Sequence, residues 1–139
     1  MERNGFTLVE LMIAIAVMAL LASAVVLTAG SAGGGPQDVA TRFASRLAAA
    51  RDQAILTGRP MSAWVSPSGY GFDQLRNGRW ERLEDKPFQG DDWGRGMVLS
   101  LAGYQSRARV RFDSLGLPDQ PLQLQLSRDG RAAAIRIAA

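Results

Sequence analysis

The residue most suggestive of chemistry is a carboxylate in an otherwise apolar run. Glu10 follows Phe6-Thr7-Leu8-Val9 and precedes Leu11-Met12-Ile13, and no charged side chain occurs from Leu11 to Gln37. A helix rises about 1.5 Å per residue, so the run is long enough to cross a hydrocarbon core of about 30 Å. A carboxylate there costs about 2.5–3.5 kcal/mol at mid-membrane and less near the interface. A tolerated one is expected to have a partner, and no basic side chain lies within one helical turn C-terminal to it. A cut between Gly5 and Phe6 would place a new amine about one helical turn before Glu10, near it along one helix. The amine of a neighbouring copy of such a helix serves equally. Either way the chemistry is charge pairing, not bond-making.

Two plainer readings compete for the segment. A cleaved secretory signal would use Ala22-Ser23-Ala24 as its small-residue site. However, Glu2 cancels Arg3 in its n-region and Glu10 interrupts its apolar core. A simple membrane anchor explains the hydrophobicity but not Glu10.

Elsewhere the candidates are weaker. Arg107, Arg109 and Arg111 alternate, which puts them on one face of a strand with Ala108, Val110 and Phe112 on the other. Such a stripe suits a row of phosphates, and it suits a solvated outer face as well. The net charge of +3 is a mild excess carried almost wholly by arginine. Glu84, Asp85, Asp91 and Asp92 offer oxygens to a hard cation but at no recognisable ligand spacing. Trp64, Trp80 and Trp93 read as sheet or core packing, with an interface anchor as the alternative. Histidine and cysteine are both absent, which removes the usual acid–base group near neutral pH, the disulfide framework and the commonest zinc ligands. No serine-nucleophile, phosphate-loop or dinucleotide signature occurs. The expectation is a chain without metal or cofactor that is not an enzyme.

The elements that must position these residues follow from the pattern. Gly33-Gly34-Gly35-Pro36 interrupts helix, as a break or as a kink in one long helix. A second helix is expected over 37–57, with Val39, Phe43, Leu47, Ala50 and Ala54 as its apolar stripe. Gly58 is its left-handed cap, and Pro60 prevents continuation. Strands are expected over 61–65, 70–75, 80–83, 97–101, 107–112, 122–127 and 132–137. Hairpin turns fall at Asn77-Gly78 and Asp129-Gly130, and a polar, mobile loop over 84–96. The fold class is α+β: a helix on an antiparallel sheet or two small sheets.

Gly5-Phe6-Thr7-Leu8-Val9-Glu10 before an apolar helix resembles the type IV prepilin signature. Ala50-Arg51-Asp52-Gln53-Ala54-Ile55-Leu56-Thr57-Gly58-Arg59-Pro60 resembles the end of the long helix in the H-type minor pseudopilins of type II secretion. Gly69-Tyr70-Gly71-Phe72 with Asn77-Gly78-Arg79-Trp80-Glu81-Arg82-Leu83 resembles the hairpin that follows it there. The resemblance covers roughly the first 85 residues, and the later strands match only in type and number. The resemblance implies a type IV pilin-like fold and cleavage after Gly5 by a prepilin peptidase, which also N-methylates Phe6. It further implies that Glu10 pairs with a neighbour's Phe6 amine in a filament core. Residues 1–5 are then a leader, 6–32 a transmembrane and assembly helix, 33–36 the Gly-Pro break and 37–139 a periplasmic domain of an inner-membrane protein. The implied partners are the major G-type pseudopilin and the minor I, J and K types, near the pseudopilus tip. Nucleic acid is not an expected partner on this reading. The rival is a DNA-binding minor pilin of a pilus or DNA-uptake system, which shares the leader and fold and would use the arginine stripe.

Overall fold

A computed structural model describes residues 7–18, 34–103 and 105–139. The chain divides into two compact units, Met1–Gly34 and Gly35–Ala139.

In the first unit, residues 8–18 form a helix, α1, whose side chains are exposed. Thr7 caps it: the Glu10 amide lies 3.3 Å from Thr7 Oγ1 and 3.0 Å from the Thr7 carbonyl. Thr7-Leu8-Val9-Glu10 therefore has the spacing of a capping box, with the acidic residue at the third helical position. Among the described residues no helix is long and apolar enough to cross a membrane. Most of the expected membrane stretch, from 19 onward, lies outside the described residues, as do Gly5 and Phe6.

The second unit opens on α2, Pro36–Thr57. Gly34 and Gly35 are non-helical, and Gly35 is the N-cap (φ −58°, ψ 173°), with Pro36 at the first helical position. There its missing N–H leaves no hydrogen bond unmade. Gly58 (φ 62°) ends the helix in the left-handed region and donates its N–H to the Ile55 carbonyl at 3.4 Å. The buried face holds Val39, Phe43, Leu47, Ala50 and Ala54, with Ala40 and Pro36 beside them. The spacing-derived stripe is thus the packed face.

Seven strands follow: β1 Met61–Ser66, β2 Gly69–Arg76, β3 Arg79–Arg82, β4 Val98–Leu101, β5 Ala108–Phe112, β6 Leu122–Arg128 and β7 Arg131–Ile137. All pair antiparallel, in a four-stranded sheet ordered β3-β2-β1-β5 and a three-stranded sheet ordered β4-β6-β7. Strand ends lie within one residue of the expected bounds. Arg107 precedes β5 rather than opening it. Asn77 (φ 50°), Gly78 (φ 76°), Asp129 (φ 52°) and Gly130 (φ 76°) make the two hairpin turns with positive φ at both central positions.

The helix packs on both sheets. The core between them holds Phe43, Met61, Val65, Phe72, Val110, Leu124 and Leu126. Gly116 (φ +79°) brings the turn after β5 against the end of α2, where a Cβ would sit 2.7 Å from Ile55 Cδ1.

The loop expected to be mobile is fastened instead. Tyr70 and Asp91 exchange backbone hydrogen bonds at 2.9 and 3.0 Å, and Leu83 donates to the Phe72 carbonyl at 2.9 Å. Trp93 is 2% exposed, with Nε1 donating to the Ser66 carbonyl at 2.7 Å, and Phe88 packs edge-on to Phe72. Arg46 on α2 donates to the Gln89 carbonyl at 3.2 Å. Loop composition alone does not reveal this, because two aromatic anchors suffice to bury a segment that is otherwise polar.

Tyr70 lies in the resulting aromatic cluster, with ring centroids 4.6 Å from Phe43 and 4.8 Å from Trp93. Burial pushes its hydroxyl above the ordinary phenol value, against the pull of the Arg46 guanidinium. The folded-state value is raised, so its contribution is fully present below the unfolded value of about 10 and is lost as pH rises through the folded value. Stability should therefore fall above about pH 10, and Tyr70→Phe should flatten that fall. Chemical-denaturation midpoints of both proteins at pH 8 and 11 test this. An equal decline in the two proteins would discount Tyr70.

Candidate functional site

The chemistry-bearing residues gather in two places. The first is the start of α1. Glu10 is exposed in its first turn, where the helix dipole favours negative charge. The described residues hold no cation beside it: no salt bridge to it is formed, and its amide is satisfied by Thr7. The signal for Thr7 in the sequence is its Thr-x-x-Glu spacing to Glu10, the spacing of a cap.

The second place is the outer face of the four-stranded sheet. Along β1 the residues facing the core are Met61, Ala63 and Val65, so Ser62, Trp64 and Ser66 turn outward. Register places Trp64 between Gly71 on β2 and Arg109 on β5, and Ser62 between Asp73 and Arg111. The bare Gly71 is what lets the indole lie across β2: a Cβ there would stand 2.4 Å from Trp64 Cζ2. Arg82, opposite Asp73 on β3, lays its guanidinium 5.1 Å over the Trp64 ring. Trp64 Nε1 is buried and has no acceptor among the described residues.

The arginine stripe is divided among different partners. Arg109 Nη1 lies 3.1 Å from Asp73 Oδ2 and 3.4 Å from Ser62 Oγ, and Ser62 Oγ reaches Asp73 Oδ2 at 3.5 Å. Asp73 is 7% exposed, so this pairing satisfies a charge that would otherwise be costly to bury. Arg111 lies 5.9 Å over the Trp80 ring. Arg107 is exposed and has no ion-pair partner among the described residues. The stripe is therefore not three equivalent cations: one is neutralised, one stacked and one open. Trp64, Ser66, Ser68, Arg82, Arg107 and Arg109 line a cleft of about 550 Å³ on this face.

Two of the acidic loop residues, Asp91 and Asp92, are engaged locally. The Asp92 carboxylate accepts the Gly94 amide at 2.8 Å, and Asp91 lies 3.8 Å from Arg46. Among the described residues no three histidine, cysteine or acidic side chains come together as metal ligands. Trp93 is core, and Trp80 is a surface residue of β3 opposite Leu75.

One helix across two small antiparallel sheets, behind residues 1–26 that match the prokaryotic N-terminal methylation motif, defines a type IV pilin-like subunit. Residues 39–139 match the family of type II transport protein GspH, and the chain belongs to that family. It is 32% identical over 129 residues to type II secretion system protein H of Escherichia coli (strain K12), an alignment covering 75% of this chain and 76% of that one. The protein H of Aeromonas hydrophila is 31% identical over 86 residues, covering 59% and 47%. The structure of the minor pseudopilin EpsH from the Type 2 Secretion System of Vibrio cholerae has the same fold, with a TM-score of 0.58 at 19% identity over 69% of this chain and 81% of that one.

Proposed function

We propose that this chain is a minor pseudopilin of type II secretion, a structural subunit of the pseudopilus rather than a catalyst. The observation that carries this is the joint match of residues 39–139 to the GspH family and of residues 1–26 to the N-terminal methylation motif. In this reading prepilin peptidase cuts between Gly5 and Phe6 and methylates the Phe6 amine. The chain is held in the inner membrane by its N-terminal helix, and the domain from about 37 onward stands in the periplasm. The subunit joins the G-type and the I, J and K-type pseudopilins near the filament tip and so takes part in export across the outer membrane. Glu10 supplies the pairing charge of the helix bundle.

The division of the arginine stripe supports a protein-facing role over a DNA-facing one, since affinity for duplex DNA scales with the number of phosphates neutralised. The test is co-isolation of tagged full-length chain from cross-linked membranes, probed for the other pseudopilins and for retained DNA. Pseudopilins in the eluate are the expected outcome. DNA retained at physiological salt without any pseudopilin would replace this reading with that of an uptake pilin.

A further inference from the structure

We infer that the cleft over Trp64 is a docking site for an acidic segment of a protein partner, with Arg82 and Arg107 as its carboxylate-binding groups. The partner class rests on the assembly role proposed above, whereas the ligand chemistry rests on the cleft alone.

Three observations carry it. First, the charge balance is uneven. Arg82, Arg107 and Arg109 line one cleft, and among the described residues the only carboxylate paired to any of them is Asp73, which Arg109 takes up. Among the described residues neither Arg82 nor Arg107 has an ion-pair partner, so the cleft presents two uncompensated guanidinium groups. Second, Arg82 is pre-positioned. Its guanidinium carbon lies 5.1 Å from the Trp64 ring centroid, a cation–π contact that restrains the group, and no carboxylate among the described residues takes up its N–H donors. A planar fork held this way matches a carboxylate in a two-point contact. Third, the floor is built for it: Gly71 admits the indole across β2, so the partly exposed Trp64 forms the floor of the cleft on which Arg82 rests.

The volume of about 550 Å³ falls in the range of sites that enclose a few side chains. A duplex would need cations spread along successive phosphates. Here they converge on one cleft, with Arg111 turned to Trp80. The free edge of β5 does not compete for the role of docking strand. The 118–120 segment already closes it: Asp119 donates to the Arg111 carbonyl at 2.9 Å and accepts the Arg111 amide at 2.8 Å, and Gln120 donates to the Arg109 carbonyl. Recognition on this face therefore falls to side chains.

The test uses the purified full-length chain in detergent micelles at about 0.15 M salt. The probes are a labelled glutamate-rich peptide, its lysine-rich counterpart and a labelled duplex of equal concentration. The glutamate peptide is expected to bind saturably and the lysine peptide not at all. Combining Arg82→Gln with Arg107→Gln should weaken the glutamate peptide about tenfold or more. Arg131→Gln, which removes an exposed charge from the start of β7, should leave it unchanged. Equal weakening by Arg131→Gln would reduce the effect to net charge and overturn the inference, as would unchanged binding by the double variant or tighter binding of the duplex through the same arginines. Circular dichroism of each variant separates lost binding from lost fold. Failure of the assembly reading shows separately, as absence of pseudopilins from the wild-type co-isolate, and leaves the peptide result to stand or fall by itself.

Discussion

Glu10→Gln should reduce incorporation of the chain into the pseudopilus about tenfold or more, while the amount inserted in the membrane stays at the wild-type level. Insertion cannot suffer, because an uncharged amide is cheaper to place in hydrocarbon than a carboxylate. The local helix should survive as well. Thr7 accepts the amide of residue 10 through Oγ1, a bond that does not involve the side chain of residue 10. Glutamine is also the other residue that serves at this position of a capping box. What the substitution removes is the negative charge, and with it the proposed pairing to a Phe6 amine. A tenfold loss corresponds to about 1.4 kcal/mol, a modest demand on an ion pair shielded from water. Glu10→Ala should be at least as severe, and Glu10→Asp should restore part of the function at shortened reach. Sheared-filament fractions and carbonate-extracted membranes, blotted for the chain, give the two quantities. Wild-type incorporation of the glutamine variant would show that the residue acts through its cap and not its charge.

Much of the fold was written locally. The stripe of Val39, Phe43, Leu47, Ala50 and Ala54 is the buried face of α2 because helical spacing alone decides which residues share a side. Asn77-Gly78 and Asp129-Gly130 form hairpins because few other residue pairs accept positive φ twice in succession. The order of strands had no such local signal. β5 joins β1 across more than forty intervening residues, and nothing in either segment names the other. That pairing is what builds the cleft, since it sets Arg109 beside Trp64 and, diagonally across β1, within reach of Asp73. The sequence shows the alternation of the arginines but not that one is neutralised and another stacked. Gly71, a glycine inside a strand, was the legible trace of the cleft, because such a residue marks a close approach. The start of α1 followed the same rule. The Thr-x-x-Glu cap was readable, whereas the partner proposed for Glu10 would belong to another chain or to a processed terminus.

Phe43→Ala should cost the domain about 3–5 kcal/mol, a large part of the roughly 5–15 kcal/mol that holds such domains together. Phe43 is fully buried on α2 and touches three rings from elsewhere: Tyr70 at 4.6 Å, Trp93 at 5.2 Å and Phe72 at 6.5 Å. The hole left by truncation is poorly placed to collapse. Tyr70 and Phe72 sit on β2, which is hydrogen-bonded to β1 on one side and to β3 on the other. Trp93 is fixed by its bond to the Ser66 carbonyl. A rigid lining keeps the cavity open, and the penalty then approaches the upper end of the range. The melting temperature should fall by roughly 15–30 °C. Phe43→Leu keeps most of the apolar volume and should cost clearly less, while Leu56→Ala, at a position 81% exposed on the same helix, should change stability by less than about 0.5 kcal/mol. The pattern of loosening distinguishes this cluster from a generic core. Phe43 joins the helix to the loop carrying Asp91 and Trp93, so amide exchange at Tyr70 and Asp91 should accelerate before exchange in the β6–β7 pair. Uniform acceleration across both sheets would mean that the aromatic cluster is one part of an undivided core. Selective loss around the loop would make Phe43 the residue that ties helix, sheet and loop into one surface for assembly.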